Sequence, residues 1–174
     1  MGSLFNRHSV PSQQEFHQAI SRSGNAWYSA CLRITRDSTL AQDAVQDGLL
    51  NAWQKRRQFR EGARLETWIH RIAINSALAL IRRRRVFTDV PEQLADGDEP
   101  DKQLESRELN QELEQALKAL SELECVCFVL KHLEQWRISE IADHMNIGEG
   151  SVKQALFRAV KKLRAGMHGL RETS

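Results

Sequence analysis

Leu65–Arg85, LETWIHRIAINSALALIRRRR, reads as one helix with two unlike faces. At about 100° per residue, Ile69, Ala73, Ala77, Leu80 and Ile81 share one side and form a core face. Trp68, Arg71, Asn75 and Arg82 share the opposite side, with Leu78 at its border. The helix closes on the run Arg82–Arg85. Arg and Asn suit phosphates and base edges, and Trp stacks on an unpaired base. A merely solvated outer face ordinarily mixes Glu with Lys, yet this one carries no acid after Glu66. The simpler alternative is a surface helix whose Arg-rich end complements its own C-terminal dipole. The pattern favours nucleic-acid contact over that alternative.

Working outward, the 174 residues are 41% hydrophobic and 28% charged, enough for one or two small globular domains. The formal net charge is only +2, so any nucleic-acid surface must come from segregated charge. Basic residues crowd Lys55–Arg60, Arg82–Arg85 and Lys153–Arg164, while acids crowd Asp96–Asp101 and Glu105–Glu124. The three cysteines, Cys31, Cys125 and Cys127, form no disulfide framework, which points to a reducing compartment. Cys125 and Cys127 lie about 200° apart on a helix and do not share one metal; buried apolar thiols are the expectation. No apolar run is long enough to span a bilayer, and MGSLFNRHSVPSQQ lacks a secretory signal's apolar centre. The sequence predicts a cytoplasmic protein with no direct membrane insertion, no cofactor and no metal.

Strand signals are nearly absent, so the fold class is all-α. Ser12-x-x-Glu15 is a capping box after Pro11 and opens a helix carrying Phe16, Ala19, Ile20, Trp27, Cys31 and Ile34, with a break at Ser23-Gly24. Asp37-Ser38 makes a turn. In the next helix, Leu40–Gln58, the residues Ala41, Val45, Leu49, Ala52 and Trp53 share the core side. Asp43, Gln46, Asp47, Leu50 and Gln54 share the other. Leu50 among acids and amides is either an ordinary exposed leucine or the centre of a docking stripe for a partner helix, and the pattern alone leaves both open. Thr88–Asp101, TDVPEQLADGDEPD, has the composition of a linker. Helical periodicity resumes with Leu104, Leu109, Leu113, Leu117 and Leu120, and a second capping box, Ser121-x-x-Glu124, opens a helix through Leu133. The expected organisation is two small helical domains, 1–86 and 103–174, joined by an acidic flexible linker, 87–102.

Ile138–Leu163, ISEIADHMNIGEGSVKQALFRAVKKL, has the pattern of a helix-turn-helix. Ile138, Ile141, Ala142 and Met145 turn inward on the first helix. Asn146 tolerates the left-handed turn, and Gly148 serves as N-cap. On the second helix Val152, Leu156, Ala159, Val160 and Leu163 form the buried face. Ser151, Gln154, Arg158, Lys161 and Lys162 form the outer one, with Ala155 among them. Ser151, Gln154 and Arg158 suit base edges; Lys153, Lys161 and Lys162 suit phosphates. A helical hairpin with a solvated basic face is the plainer alternative.

Two stretches together resemble bacterial RNA polymerase sigma factors of the extracytoplasmic-function (ECF) group. The first is LAQDAVQDGLLNAW (Leu40–Trp53) with FREGARLETWIHRIAINSALALIRR (Phe59–Arg83); the second is SEIADHMNIGEGSVKQALFRAVKKL (Ser139–Leu163). The resemblance covers nearly everything from Phe16 to about Arg164. It implies that the 1–86 domain docks on core RNA polymerase through Asp43, Gln46, Asp47 and Leu50. It implies that the same domain recognises and melts the minus-ten promoter element with Phe59, Arg60, Trp68, Arg71, Asn75 and Arg82. The loop Phe59–Arg64 corresponds to the place where such proteins capture a flipped base. The 103–174 domain is then the reader of the minus-thirty-five element, through Ser151, Lys153, Gln154, Arg158, Lys161 and Lys162. The linker is expected to thread toward the polymerase channels, its acids mimicking nucleic acid.

The implied partners are core polymerase, promoter DNA and an anti-sigma factor, which in this group is often membrane-anchored. Ser121 and Cys125 stand where the family usually has Pro and Arg, Ala79 where an acid is common, and Ala155 where an Arg contacts DNA. The alternative function is a stand-alone helix-turn-helix transcriptional regulator. An enzyme is not expected, since no paired-carboxylate, Cys/His or phosphate-loop constellation is present.

Overall fold

The computed structural model describes residues 9–60, 62–87 and 107–171. The chain divides into two compact units between Pro91 and Glu92. Among the described residues every regular element is helical. The expected linker lies, beyond Phe87, outside the described residues, as does Leu104.

The first unit is a three-helix bundle of α1 (Gln13–Thr35), α2 (Ser38–Gln54) and α3 (Leu65–Phe87). The capping box forms as expected: the Glu15 N–H donates to Ser12 Oγ at 3.2 Å and the Ser12 N–H donates to the Glu15 carboxylate at 2.7 Å. These bonds, chiefly the one from the Ser12 backbone, hold the Glu15 carboxyl below its ordinary pKa. Helix α1 runs unbroken through Ser23-Gly24, because one glycine costs only about 1 kcal/mol and Trp27, Cys31 and Ile34 anchor the helix beyond it. It ends on Arg36 in the left-handed conformation, and Asp37 caps α2 by accepting from the Leu40 N–H. Helix α2 stops at Gln54; a 3-10 turn, Arg56–Gln58, replaces the expected last turn.

The face that α2 buries is narrower in side-chain size than the sequence suggests. Ala41, Ala44, Gly48 and Ala52 are the buried residues, and Val45 and Leu49 are half-buried. This small-residue stripe lets α3 approach so closely that a Cβ on Gly48 would stand 2.7 Å from the Ala73 Cα. No indole fits at that spacing. Trp53, expected in the core, therefore sits at the margin with 36% of its surface exposed. On α3, Ile69, Ala73, Ala77 and Ile81 are buried as expected, while Leu80 is half-buried. Leu78, expected to border the outer face, is fully buried together with Ile74. The reason is that α3 is flanked by both α1 and α2, so its covered arc is wider than one amphipathic stripe.

The second unit contains α4 (Arg107–Lys118), α5 (Glu122–Phe128), α6 (Ile138–Met145) and α7 (Glu149–Arg171). The expected single helix from Ser121 to Leu133 ends in a π segment, Val129–Leu133, in which the Glu134 N–H reaches the Val129 carbonyl at 3.0 Å. Trp136 is then drawn into the core beside His144, 4.9 Å between ring centroids. Asn146 is left-handed at φ 55°, as the turn requires. The Ser151 and Val152 N–H groups both reach the Gly148 carbonyl, which starts α7 where the sequence places it. Ile141, Ala142, Met145, Val152 and Ala159 are buried. Ala155, expected on the outer face, is 4% exposed, because α7 is packed against both α5 and α6.

The Ser121 box closes in the same way as the first, the Glu124 N–H donating to Ser121 Oγ and the Ser121 N–H to the Glu124 carboxylate. Glu124 also accepts a hydrogen bond from Lys162 Nζ at 2.7 Å, its side chain only 8% exposed. Burial pushes the Glu124 carboxyl up, but the bonds from Lys162 and from the Ser121 backbone outweigh it and hold the pKa below its ordinary value. Lys162 therefore clasps α7 to the start of α5.

Two outcomes follow. Gly48→Ala gains helix propensity of about 1 kcal/mol but meets backbone, and overpacking costs about 1–3 kcal/mol. Thermal melts should therefore show the first unit losing several degrees. For Glu124, a folded-state pKa below the unfolded one gives stability that is complete above the ordinary carboxylate range and lost as pH falls through the depressed value. The thermal advantage of the wild type over Glu124→Gln should be full at about pH 7, shrink below about pH 4.5 and vanish in stronger acid.

Candidate nucleic-acid and partner interfaces

The outer face of α2 is wet where a core would be dry. Asp43, Gln46 and Asp47 are exposed, and Leu50 exposes 60% of its surface between them. The helix that carries them is fixed from behind by the Gly48–Ala73 contact, so this face is presented on a rigid element.

On α3 the predicted nucleic-acid residues do come to one side, but at different depths. Arg82 is exposed, Arg71 and Asn75 are half-buried, and Trp68 is half-buried against the core around Phe16, Trp27 and Ile69. Asn75 Oδ1 is shielded from solvent with no hydrogen-bond partner among the described residues. The loop before α3 brings Phe59 against Trp68, 5.4 Å between centroids and 60° between planes. Arg60 beside it is exposed, and Gly62 takes φ +114°, a value that favours glycine. Glu66 on the first turn of α3 lies 3.7 Å from Arg22 and 3.9 Å from Arg64, tying loop and helix to α1. The result is an aromatic step with cations around it, a geometry suited to stacking an unpaired base.

On α7, Ser151, Lys153, Gln154, Arg158 and Lys161 are exposed. Lys162 is exposed as well, but its ammonium is hydrogen-bonded to Glu124. The residue that sequence reading missed is Phe157. It exposes 71% of its surface, one turn from Lys153, Gln154 and Lys161. The buried trio Val152, Ala155 and Ala159 centres the core face so that Phe157 points away from it. Placing Ala155 inward would have exposed that signal in the sequence. Among the described residues no cluster of three or more His, Cys, Asp or Glu is arranged to hold a metal. The three cysteines are buried and form no disulfide. No helix there is long and apolar enough to cross a membrane.

An orphaned carbonyl oxygen costs about 1–3 kcal/mol when shielded from water. Asn75→Ala should accordingly leave the thermal stability of the first unit unchanged or raise it, whereas a structural Asn would lower it.

Residues 19–86 match the Sigma-70 region 2 family, and residues 110–163 match Sigma-70, region 4. RNA polymerase sigma-H factor of Pseudomonas aeruginosa is 32% identical over 141 residues, 74% of this chain and 73% of that protein. The ECF RNA polymerase sigma factor SigW of Bacillus subtilis is 26% identical over 156 residues, 82% of this chain and 83% of that one. The sigma factor RpoE of Bartonella quintana, solved in complex with the anti-sigma factor NepR, shares the fold with a TM-score of 0.60 at 24% identity, covering 89% of this chain and 98% of that one.

Proposed function

This chain belongs to the sigma-70 family of RNA polymerase sigma factors, in its extracytoplasmic-function group, and we propose that it works through three separate faces on two units. It is a factor that binds core RNA polymerase and directs promoter-specific initiation. The α2 face of Asp43, Gln46, Asp47 and Leu50 docks on the polymerase. The observation that carries this is Leu50, a large apolar side chain 60% exposed on a helix whose opposite side is locked to α3. Such a residue, rimmed by polar groups, is what an anchor looks like before its partner arrives.

The α3 face handles the minus-ten element. Phe59 and Trp68 offer the stacking surface for an extruded base, Arg60, Arg71 and Arg82 neutralise phosphates, and the unsatisfied Asn75 oxygen awaits a donor. Unstacking costs a few kcal/mol per step and is offset by capture of the base. The α7 face reads the minus-thirty-five element. Ser151, Gln154 and Arg158 address base edges, Lys153 and Lys161 phosphates, and Phe157 the methyl group of a thymine. Lys162 joins them only on leaving Glu124. The reaction chemistry is the polymerase's; this chain supplies position and strand separation, in the cytoplasm where its partners are. Control by an anti-sigma factor that covers the docking face is supported by the structurally similar RpoE, solved in complex with the anti-sigma factor NepR.

Two variants test the assignment. Leu50→Asp should abolish binding to core polymerase while the melting curve stays that of the wild type. Arg158→Ala should weaken transcription from a promoter library by about 1–3 kcal/mol of discrimination at one upstream position, with polymerase binding unchanged. Tight binding of duplex promoter by the isolated protein, unaffected by Leu50→Asp, would instead identify a stand-alone regulator.

A further inference from the structure

Lys162 stands in the row of α7 that carries Ser151 and Arg158, yet its ammonium already has a partner within the chain. Ser151 and Arg158 are seven residues apart and Lys162 follows Arg158 by four, so the three share one side of the helix. All three are exposed. Lys162 Nζ nevertheless donates to Glu124 Oε2 at 2.7 Å, while the Lys162 side chain keeps 46% of its surface open. An ammonium on a flexible four-carbon stem at the surface is a point charge that suits a phosphate equally well. Two anions therefore compete for it, a carboxylate inside the chain and a phosphate outside.

Glu124 is placed to win that competition in the free chain. Its side chain is only 8% exposed, and the same Oε2 accepts from the Ser121 N–H at 3.0 Å, so the capping box fixes the carboxylate independently of Lys162. Departure of the ammonium would leave a shielded carboxylate without its counter-charge, which costs more than parting an exposed pair. We propose that Glu124 acts as an internal stand-in for a DNA phosphate: it holds Lys162 back and so sets how tightly the second unit grips any duplex, whatever its sequence. A phosphate contact carries no base information and adds to cognate and non-cognate binding alike. Non-cognate sites vastly outnumber promoters in a genome, so a lysine held back shortens the time that polymerase carrying this chain is detained on them.

This inference rests on the α7 reading of the minus-thirty-five element, and one experiment separates the two. Core polymerase carrying the full chain is bound to duplexes that differ only in the upstream element: the best sequence from a promoter library, each single change in it, and a scrambled version. Wild type is compared with Glu124→Gln and with the double variant Glu124→Gln/Lys162→Met. Gln removes the charge but keeps an acceptor for the Ser121 N–H, so the capping box survives. Glu124→Gln should tighten binding to every duplex by the same factor, about 2- to 5-fold, with the order of preferred sequences unchanged. The gain should fade as salt is raised and be absent from the double variant. Glu124→Leu, which fills the shielded site without charge, should give the same gain and reports where Glu124→Gln folds poorly. Unchanged affinity, a gain that survives loss of Lys162, or weaker binding with altered sequence preference overturns the proposal; the last assigns Glu124 a purely structural role. In each of those cases a wild type that still prefers its upstream element leaves the α7 reading intact. A wild type with no such preference removes that reading and this proposal together.

Discussion

The close approach of α2 to α3 at Gly48 and Ala73 is the constraint on which the first unit is built. Because the two backbones come so near, only small side chains fit between them, and Ala41, Ala44, Gly48 and Ala52 supply them. Every larger residue of α2 is displaced toward the margins or outward. That single requirement explains why Leu50 is bare, why Trp53 lies at the edge against Phe16, and why the polar face is continuous. Each of α2 and α3 also packs on α1, so each is covered from two directions and keeps one side open to solvent.

The second unit solves a different problem. Its helix-turn-helix is short, and α7 must be held by more than α6. The Glu124–Lys162 bond provides that hold, with Ser121 capping the same carboxylate. Only the Glu124 side of the pair is shielded, so losing Lys162 leaves a shielded carboxylate behind, whereas losing Glu124 leaves an ammonium in water. The clasp occupies the position where the family ordinarily starts this helix with Pro and follows it with Arg. Here Ser121, Glu124 and Cys125 form a different local arrangement, and Lys162 of α7 reaches across the surface to the Glu124 carboxylate.

Much of this was legible in the residues alone. Both capping boxes, the left-handed Asn146, the Gly148 start of α7 and the solvent-facing Leu50 follow from local chemistry that tertiary packing did not disturb. The differences have separate tertiary causes. A helical wheel assigns a single buried face, but α3 and α7 are each covered from two sides, so Leu78 and Ala155 moved inward. The wheel also rates large apolar residues as core, but the α2–α3 spacing admits only small ones, so Trp53 moved out. The bond from Lys162 to Glu124 was not foreseen, because the two lie 38 residues apart in sequence and no local pattern announces it.

The bond between Lys162 and Glu124 reaches beyond folding. A duplex is surrounded by condensed counterions, and each protein cation that replaces one releases it to solution, steepening the dependence of affinity on ionic strength. An ammonium already neutralised by Glu124 displaces none. In the proposed upstream contact this unit therefore owes a smaller share to ion release than its count of basic residues suggests, and a larger share to the shape and polar pattern that α7 offers the groove.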